Sequence, residues 1–340
     1  MILFKLILFG IVLLIQGFIS QFGLYNSAFI GAYSSGSIKN DHIIFVGDIL
    51  LARDVEMKIK QYGTAYPFSN ITEFLTAHVI VGNFEAAIPV LHKPTPHFNT
   101  QFSVNKELIP ALRAAGFTHL SLANNHSYDF EAFGFDNTQA TLRSAGIVAF
   151  GNPLHIDATS ITYMNVDDVQ VALIALSTID TVIDIDSLLP VIQEAGRNSD
   201  MQIAYVHWGN EYELQNSDLQ RNLAYDLADL GIDIIVGHHP HVVQNIEVYK
   251  NTPIFYSLGN FIFDQYFSKD VQNGLMLELS LQQPDTFSIR LIPVSSEYSH
   301  TSPQALASFE REEFLENLAK RSAEDIEEDI QSGMLSFELK

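Results

Sequence analysis

A chain of 340 residues with 47% hydrophobic content can bury a substantial core, so it needs neither a metal nor a disulfide merely to fold. It has no cysteine, which excludes a zinc–thiolate site, a cysteine nucleophile and any disulfide framework. The formal charge of −22 argues against nucleic acid as a partner, because a phosphate backbone is bound through Lys and Arg. The same acidity opposes any polyanion except where metal ions invert the local field.

Residues Leu6 to Ile19 are almost wholly apolar, interrupted by Gln16 and preceded by Lys5. A positive charge ahead of such a run keeps the N-terminus inside. Residues 1–24 therefore read as a hydrophobic N-terminal helix, either a signal peptide or a single membrane anchor. Both put the remainder outside the cytoplasm, on the extracytoplasmic face of the cell membrane or secreted. Residues 25–40, with Ser and Gly concentrated after Tyr33, read as a flexible tether.

From His42 onward, short apolar strands alternate with helical stretches. His42 to Gly47 is a strand ending at Asp48. Val55 to Tyr62 and Ile71 to Ala77 have helical character. His78 to Gly82 is a second strand, running into Asn83 and Glu85. Ile88 to Gln101, with its prolines, is irregular. Lys106 to Ala115 is a helix stopped by Gly116, and Phe117 to Leu122 a strand leading to Asn124, Asn125 and His126. A helix over Phe135 to Ala145 closes the first half. In the second half, strands at Val169 to Leu176, Ile203 to His207 and Ile232 to Val236 are separated by helices at Leu188 to Asn198 and Asp218 to Leu230. Further strands follow at Pro253 to Leu258, Gly274 to Leu281 and Thr286 to Val294. Such alternation predicts an α/β domain over 41–295. Residues 296–340 form an acidic C-terminal helical segment, in which Ser308 to Ile330 reads as a solvated amphipathic helix.

Polar side chains gather at the carboxyl ends of the predicted strands, where open α/β sheets place their ligand sites. These are Asp48, Glu85, Asn125 with His126, His207, and His239 with His241. Carboxylate, imidazole and amide oxygen suit Mn, Fe or Zn where thiolate is absent. Each has an ordinary explanation by itself: Asp48 as a helix cap, Asn124 and Asn125 as a turn, His207 as a half-buried histidine. Three histidines within Gly237-His238-His239-Pro240-His241 are harder to dismiss, since desolvating several imidazoles requires partners. A carboxylate shared by two ions would make a two-metal centre.

Several motifs occur in order: Gly47-Asp48-x-x-Leu51-x-Arg53, Asn83-Phe84-Glu85, Ala123-Asn124-Asn125-His126-x-x-Asp129 and His207-Trp208-Gly209-x-Glu211. After them come Gly237 to Gln244 and Tyr256-Ser257-Leu258-Gly259-Asn260-Phe261-x-Phe263-Asp264. This series resembles the CapA family of bacterial poly-γ-glutamate capsule-synthesis proteins, which in turn resemble calcineurin-like metallophosphatases. The resemblance implies a four-layer αββα sandwich and one or two divalent metal ions (Mn, Fe or Zn) held by Asp48, Glu85, Asn125, His207, His239 and His241. It makes His126 and Asp48 the catalytic candidates, with Glu85 in the bridging position. Arg53 and Asn124 are candidate contacts to an anionic substrate or capsule polymer, and other capsule-synthesis membrane proteins are candidate partners. His238 reads as a support, and Asn260 and Asp264 either as partners that orient imidazoles or as turn residues. The metallophosphatase pattern has a histidine two residues after its first aspartate; here that residue is Leu50. Metal-dependent phosphoester hydrolysis, amide hydrolysis and binding without turnover all stay open at this point.

Overall fold

The computed structural model describes residues 42–179, 181, 183–282 and 286–339. The segment read as anchor or signal peptide, and its tether, lie outside the described residues. Among the described residues no helix is long and apolar enough to cross a membrane.

The first half builds one sheet. β1 (His42–Ile49) leads to α1 (Arg53–Tyr62) and β2 (Val79–Phe84), then α2 (Ile109–Ala114), β3 (His119–Ser121), α3 (Glu131–Ser144) and β4 (Val148–Phe150). β1 to β4 are parallel neighbours. The chain then builds a second sheet from β5 (Ile161–Val166), β6 (Val169–Ser177), α4 (Ile185–Arg197), β7 (Met201–His207), α5 (Asp218–Asp229), β8 (Ile234–His238), β9 (Ile246–Tyr249) and β10 (Thr252–Phe255). Its strand order is β5-β6-β7-β8-β10-β9, parallel in the middle with an antiparallel strand on each edge.

The chain returns to the first sheet through β11 (Asn260–Ile262), which lies beside β1. The short α6 (Lys269–Gln272), β12 (Asn273–Gln282), β13 (Thr286–Ser295), β14 (Gln304–Ala305), α7 (Ser308–Arg321), α8 (Glu327–Ser332) and β15 (Met334–Glu338) complete it. The order is β14-β13-β12-β1-β2-β3-β4, with β15 paired to β13.

Alternation along each strand sorts the side chains into three apolar layers. Ile43, Phe45 and Val81 of the first sheet meet Leu173, Ile203, Tyr205 and Val236 of the second in the central core. On the outer face of the first sheet, Ile44, Val46 and Ile80 pack on Val55, Leu112 and Leu142 from helices. On the outer face of the second, Ile174, Ala204 and Val206 pack on Leu188, Ile192 and Leu227. The result is helices, sheet, sheet, helices. Each fully buried Val, Leu, Ile or Phe contributes about 1.5–3 kcal/mol, so the three layers dominate the stability.

The C-terminal segment departs from its reading as a solvated helix. Leu315, Leu318, Ala319, Ile326 and Ile330 are buried in the central core, and β15 extends the first sheet. Their three- and four-residue spacing makes an apolar stripe that seats against the sheet edges, while Glu and Lys face water. Ile71 to Ala77 is also not a helix: only a single 3₁₀ turn at Thr72–Phe74 forms there before the chain enters β2. Two hairpins escaped the sequence reading. Asp167-Asp168 and Lys250-Asn251 both hold two consecutive positive φ angles (50° and 65°, 48° and 67°), the geometry of a tight two-residue turn without its usual glycine.

Two glycines set how closely the sheets' strand ends approach the turn before β11. A Cβ on Gly47 would lie 2.0 Å from the Gly259 carbonyl oxygen, and one on Gly237 would lie 2.1 Å from that of Tyr256. Each glycine stands next to a site residue, Asp48 or His238. Gly47→Ala and Gly237→Ala should each destabilise the fold by about 3 kcal/mol or more, since backbone atoms on the far side cannot yield. Urea unfolding of each variant measures this, with an unchanged midpoint as the contrary result.

Candidate metal centre

Parallel strands point their carboxyl ends the same way, and the chemically active side chains sit there. Asp48 closes β1, Glu85 follows β2, Asn125 and His126 follow β3, His207 ends β7, and His239 and His241 follow β8. The structure thus brings together all six of the residues read as metal ligands, with His126 beside them.

Ligand atoms of Glu85, His207 and His239 lie within 4.8 Å of one another, as do those of Asp48, Glu85 and His241. Glu85 is common to both groups. Its Oε1 is 3.7 Å from His241 Nε2 and 3.9 Å from both His207 Nε2 and His126 Nε2. Asn125 Oδ1 lies 2.8 Å from His207 Nε2, adding an amide oxygen to the first group. Glu85 is fully enclosed, yet neither of its oxygens accepts a hydrogen bond among the described residues. A buried carboxylate facing imidazoles with no donor of its own calls for a cation. The donor set fits a divalent transition metal at either group.

Electrostatics agree. Burial pushes the Glu85 carboxyl well above the usual carboxylate range, reinforced by Asp48 and opposed by His241. Burial also pushes Asp48 up, but His238 and His241 outweigh it and hold this carboxyl well below its ordinary value. For His241, burial works downward, but Glu85 and Asp48 raise the imidazole to about 9. Burial and neighbouring imidazoles lower His239 to about 4 and push His207 well down. His241 therefore holds its proton while His207 and His239 are held neutral; of these two, His239 leaves its buried Nδ1 without a partner among the described residues, whereas both ring nitrogens of His207 are engaged by Asn83 and Asn125.

Supports surround this set. Asn83 donates from Nδ2 to Asp48 Oδ1 at 2.8 Å and meets His207 Nδ1 at 3.2 Å, tying a carboxylate of one sheet to an imidazole of the other. Asn83 was not singled out as a site residue from the sequence, although its place in Asn83-Phe84-Glu85 was a usable signal. Asn260 Oδ1 accepts from His241 Nδ1 at 3.0 Å, an orienting contact of the kind expected. Asp129 Oδ2 does the same for His126 Nδ1 at 3.1 Å. Phe102, just past the irregular stretch and marked by no pattern, lies over the His126 ring at 4.0 Å. His238 Nδ1 approaches Asp48 Oδ1 at 3.3 Å without hydrogen-bond alignment, and its ring lies against Tyr205.

Two expectations change, and the reading of Leu50 stands. Asp264 orients no imidazole; it is ion-paired with Arg53 Nη2 and accepts from the Asp54 backbone N–H. Asn124, read as a substrate contact, is fully enclosed and has its amide committed to Asn83, the Phe84 carbonyl and the His126 N–H, so it shapes the loop instead. Leu50 is wholly buried in the outer apolar layer of the first sheet, so that position offers no ligand. Backbone strain concentrates at the site: Arg53, His239 and His241 have φ of 54°, 96° and 58°, each a sparsely populated region that costs about 1–3 kcal/mol.

The model of the family described as bacterial capsule synthesis protein PGA_cap matches residues 42–265. The chain is 34% identical over 282 residues to "Capsule biosynthesis protein CapA" of Bacillus anthracis, covering 76% of this chain and 68% of that one. The chain belongs to the CapA capsule-synthesis family. A second CapA relative, "PGA biosynthesis protein CapA" of Bacillus subtilis, is 31% identical over 314 residues, 87% of this chain and 81% of its own. Among solved structures, one titled as a novel phosphatase from Mycoplasma pneumoniae aligns with a TM-score of 0.46 and 12% identity, covering 78% of this chain and 92% of that chain. That likeness is too remote to bear on activity. In this CapA-family chain every residue of both donor groups falls inside the matched span.

The sign of the pH dependence follows from His241. Below about 9 its imidazole is protonated, and binding a divalent ion at Asp48, Glu85 and His241 must expel that proton. Affinity for Mn²⁺ should rise at least tenfold per pH unit between pH 6 and 8, with release of at least one proton, because burial raises the Glu85 carboxyl as well and any proton it holds must also leave. Calorimetry in two buffers of different ionisation enthalpy measures both, and a flat pH profile would contradict the assignment.

Proposed function

We propose that this CapA-family protein is a divalent-metal-dependent hydrolase of phosphoesterase type, acting in capsule biosynthesis on the extracytoplasmic face of the cell membrane. The observation that carries the reading is Glu85, whose two enclosed and unpartnered carboxylate oxygens are shared by both donor groups. Asp48, Glu85 and His241 would hold one ion, and Glu85, His207 and His239, with Asn125 alongside, a second. Mn, Fe or Zn bound there would supply Lewis-acid charge and lower the pKa of water.

The chain's own residues then have distinct roles. His126 is fixed at Nδ1 by Asp129, and its Nε2 faces Glu85, which sets that ring nitrogen where proton transfer to a leaving oxygen would take place. Arg53 lies beneath Phe102, its guanidinium carbon 4.5 Å from the ring centre, and its Nε is buried without a partner. Nη2 is already taken by Asp264, so the remaining edge of the guanidinium is the part available to an anionic group. The names of the relatives support capsule polymer, or a precursor of it, as the anionic substrate; other capsule-synthesis membrane proteins are the partners we propose with it. The same names support an envelope location.

One observation favours a second reading. Leu50 fills with hydrocarbon the position where metallophosphatases have a histidine, which leaves the Asp48 group a ligand short and suits a site that binds anionic polymer without turnover.

Metal analysis of the purified protein and turnover of a generic phosphoester with Mn²⁺ test the two readings together. His239→Ala should lose bound metal. His126→Ala should keep it but lower kcat by about 10²–10⁴-fold, the usual contribution of a positioned general acid. Metal that depends on His239 without turnover of any phosphoester would instead establish the binding reading.

A further inference from the structure

A groove of about 810 Å³ opens beside the metal centre, and Asn125 and His239 form its inner end. It runs along the loop after β6 and the start of α5. That size is within the range of small-molecule sites, roughly 300–1,000 Å³. Its walls carry Ile179, Ile183, Leu219 and Leu223. Leu219 is 81% exposed, so an apolar occupant would remove it from water.

The charges in the groove are all of one sign. Glu211 and Asp226 line it, and no Lys or Arg does among the described residues. Glu211 is at the inner end, near enough for its charge to act on Glu85, His239 and His241. Asp226 lies farther along α5 and is exposed.

We propose that this groove binds an aliphatic arm that carries an ammonium group, extending from the molecule whose anionic head the metal centre holds. Only the head depends on the function proposed above. Methylenes lie on the isoleucine and leucine walls, and the ammonium meets Asp226. A polymer of carboxylates is the wrong occupant, because each carboxylate would face Glu211 and Asp226 with no countercharge in a chain of −22. Anionic head and cationic arm are thus read by two adjacent regions of opposite preference.

Trp208, the single tryptophan of the chain, also lines the groove and serves as its reporter. The purified full chain, without added metal, is titrated with hexylamine, hexanol and hexanoate while tryptophan fluorescence is followed. Hexylamine should saturate at a concentration about threefold lower than hexanol, the scale of one exposed ion pair. Hexanoate should bind more weakly than either. In Asp226→Asn, hexylamine and hexanol should become equal, and Leu219→Ser should weaken both. The proposal is overturned if hexanoate binds as tightly as hexylamine, if Asp226→Asn keeps the amine preference, or if no probe saturates. Inorganic phosphate binding to the Mn²⁺-loaded protein, measured by calorimetry, tests the head separately. Failure there with hexylamine still saturating removes the metallohydrolase reading and leaves the groove standing.

Discussion

A carboxylate buried without any hydrogen-bond donor is the constraint on which this structure turns. Removing a charge from water costs several kcal/mol, and among the described residues none donates a hydrogen bond to either Glu85 oxygen to offset it. The response is distributed. His241 carries a proton up to about 9 as the local countercharge, while burial keeps His207 and His239 neutral. Such an arrangement is poorly suited to stability alone and well suited to exchange one proton for a metal ion.

Holding it requires both sheets at once. Asp48 and Glu85 come from the first, His207, His239 and His241 from the second, and the central apolar core fixes the distance between them. Asn83 ties the two sets directly, and β11 brings Asn260 to His241 as it returns to the first sheet. Gly47 and Gly237 let backbone pass within what a methyl group would occupy. The left-handed φ angles at His239 and His241 are strain that this packing over-determines. Fold stability and ligand geometry are therefore coupled, and a core change far from the ligands should be felt in metal affinity.

The acidic chain and the anionic substrate proposed for it are compatible on the same terms. Divalent ions held by the two donor groups would reverse the field over a few ångströms, whereas the groove leading away carries only carboxylates among its described charged residues. Selectivity would then come from the short distance over which the preferred charge changes sign.

Much of this was readable in residue order. The strand-end positions of Asp48, Glu85, Asn125, His207, His239 and His241 follow from apolar runs that stop at polar residues, and α5 begins at Asp218, where the sequence pattern put it. These are local patterns, set by side-chain period and backbone preference within a few residues. Other features depended on residues far apart in the chain. Asp264 pairs with Arg53 across 211 positions, and Phe102 reaches His126 from a loop without periodicity. The burial of the acidic C-terminal segment against the sheet edges was equally hidden, because its charge dominated its composition while its apolar stripe had no visible partner. The candidate ligands were named by local chemistry together with the family resemblance. Which carboxylate would stand unpartnered between them was decided only when two sheets closed on one another, since burial and pairing are properties of the packed chain.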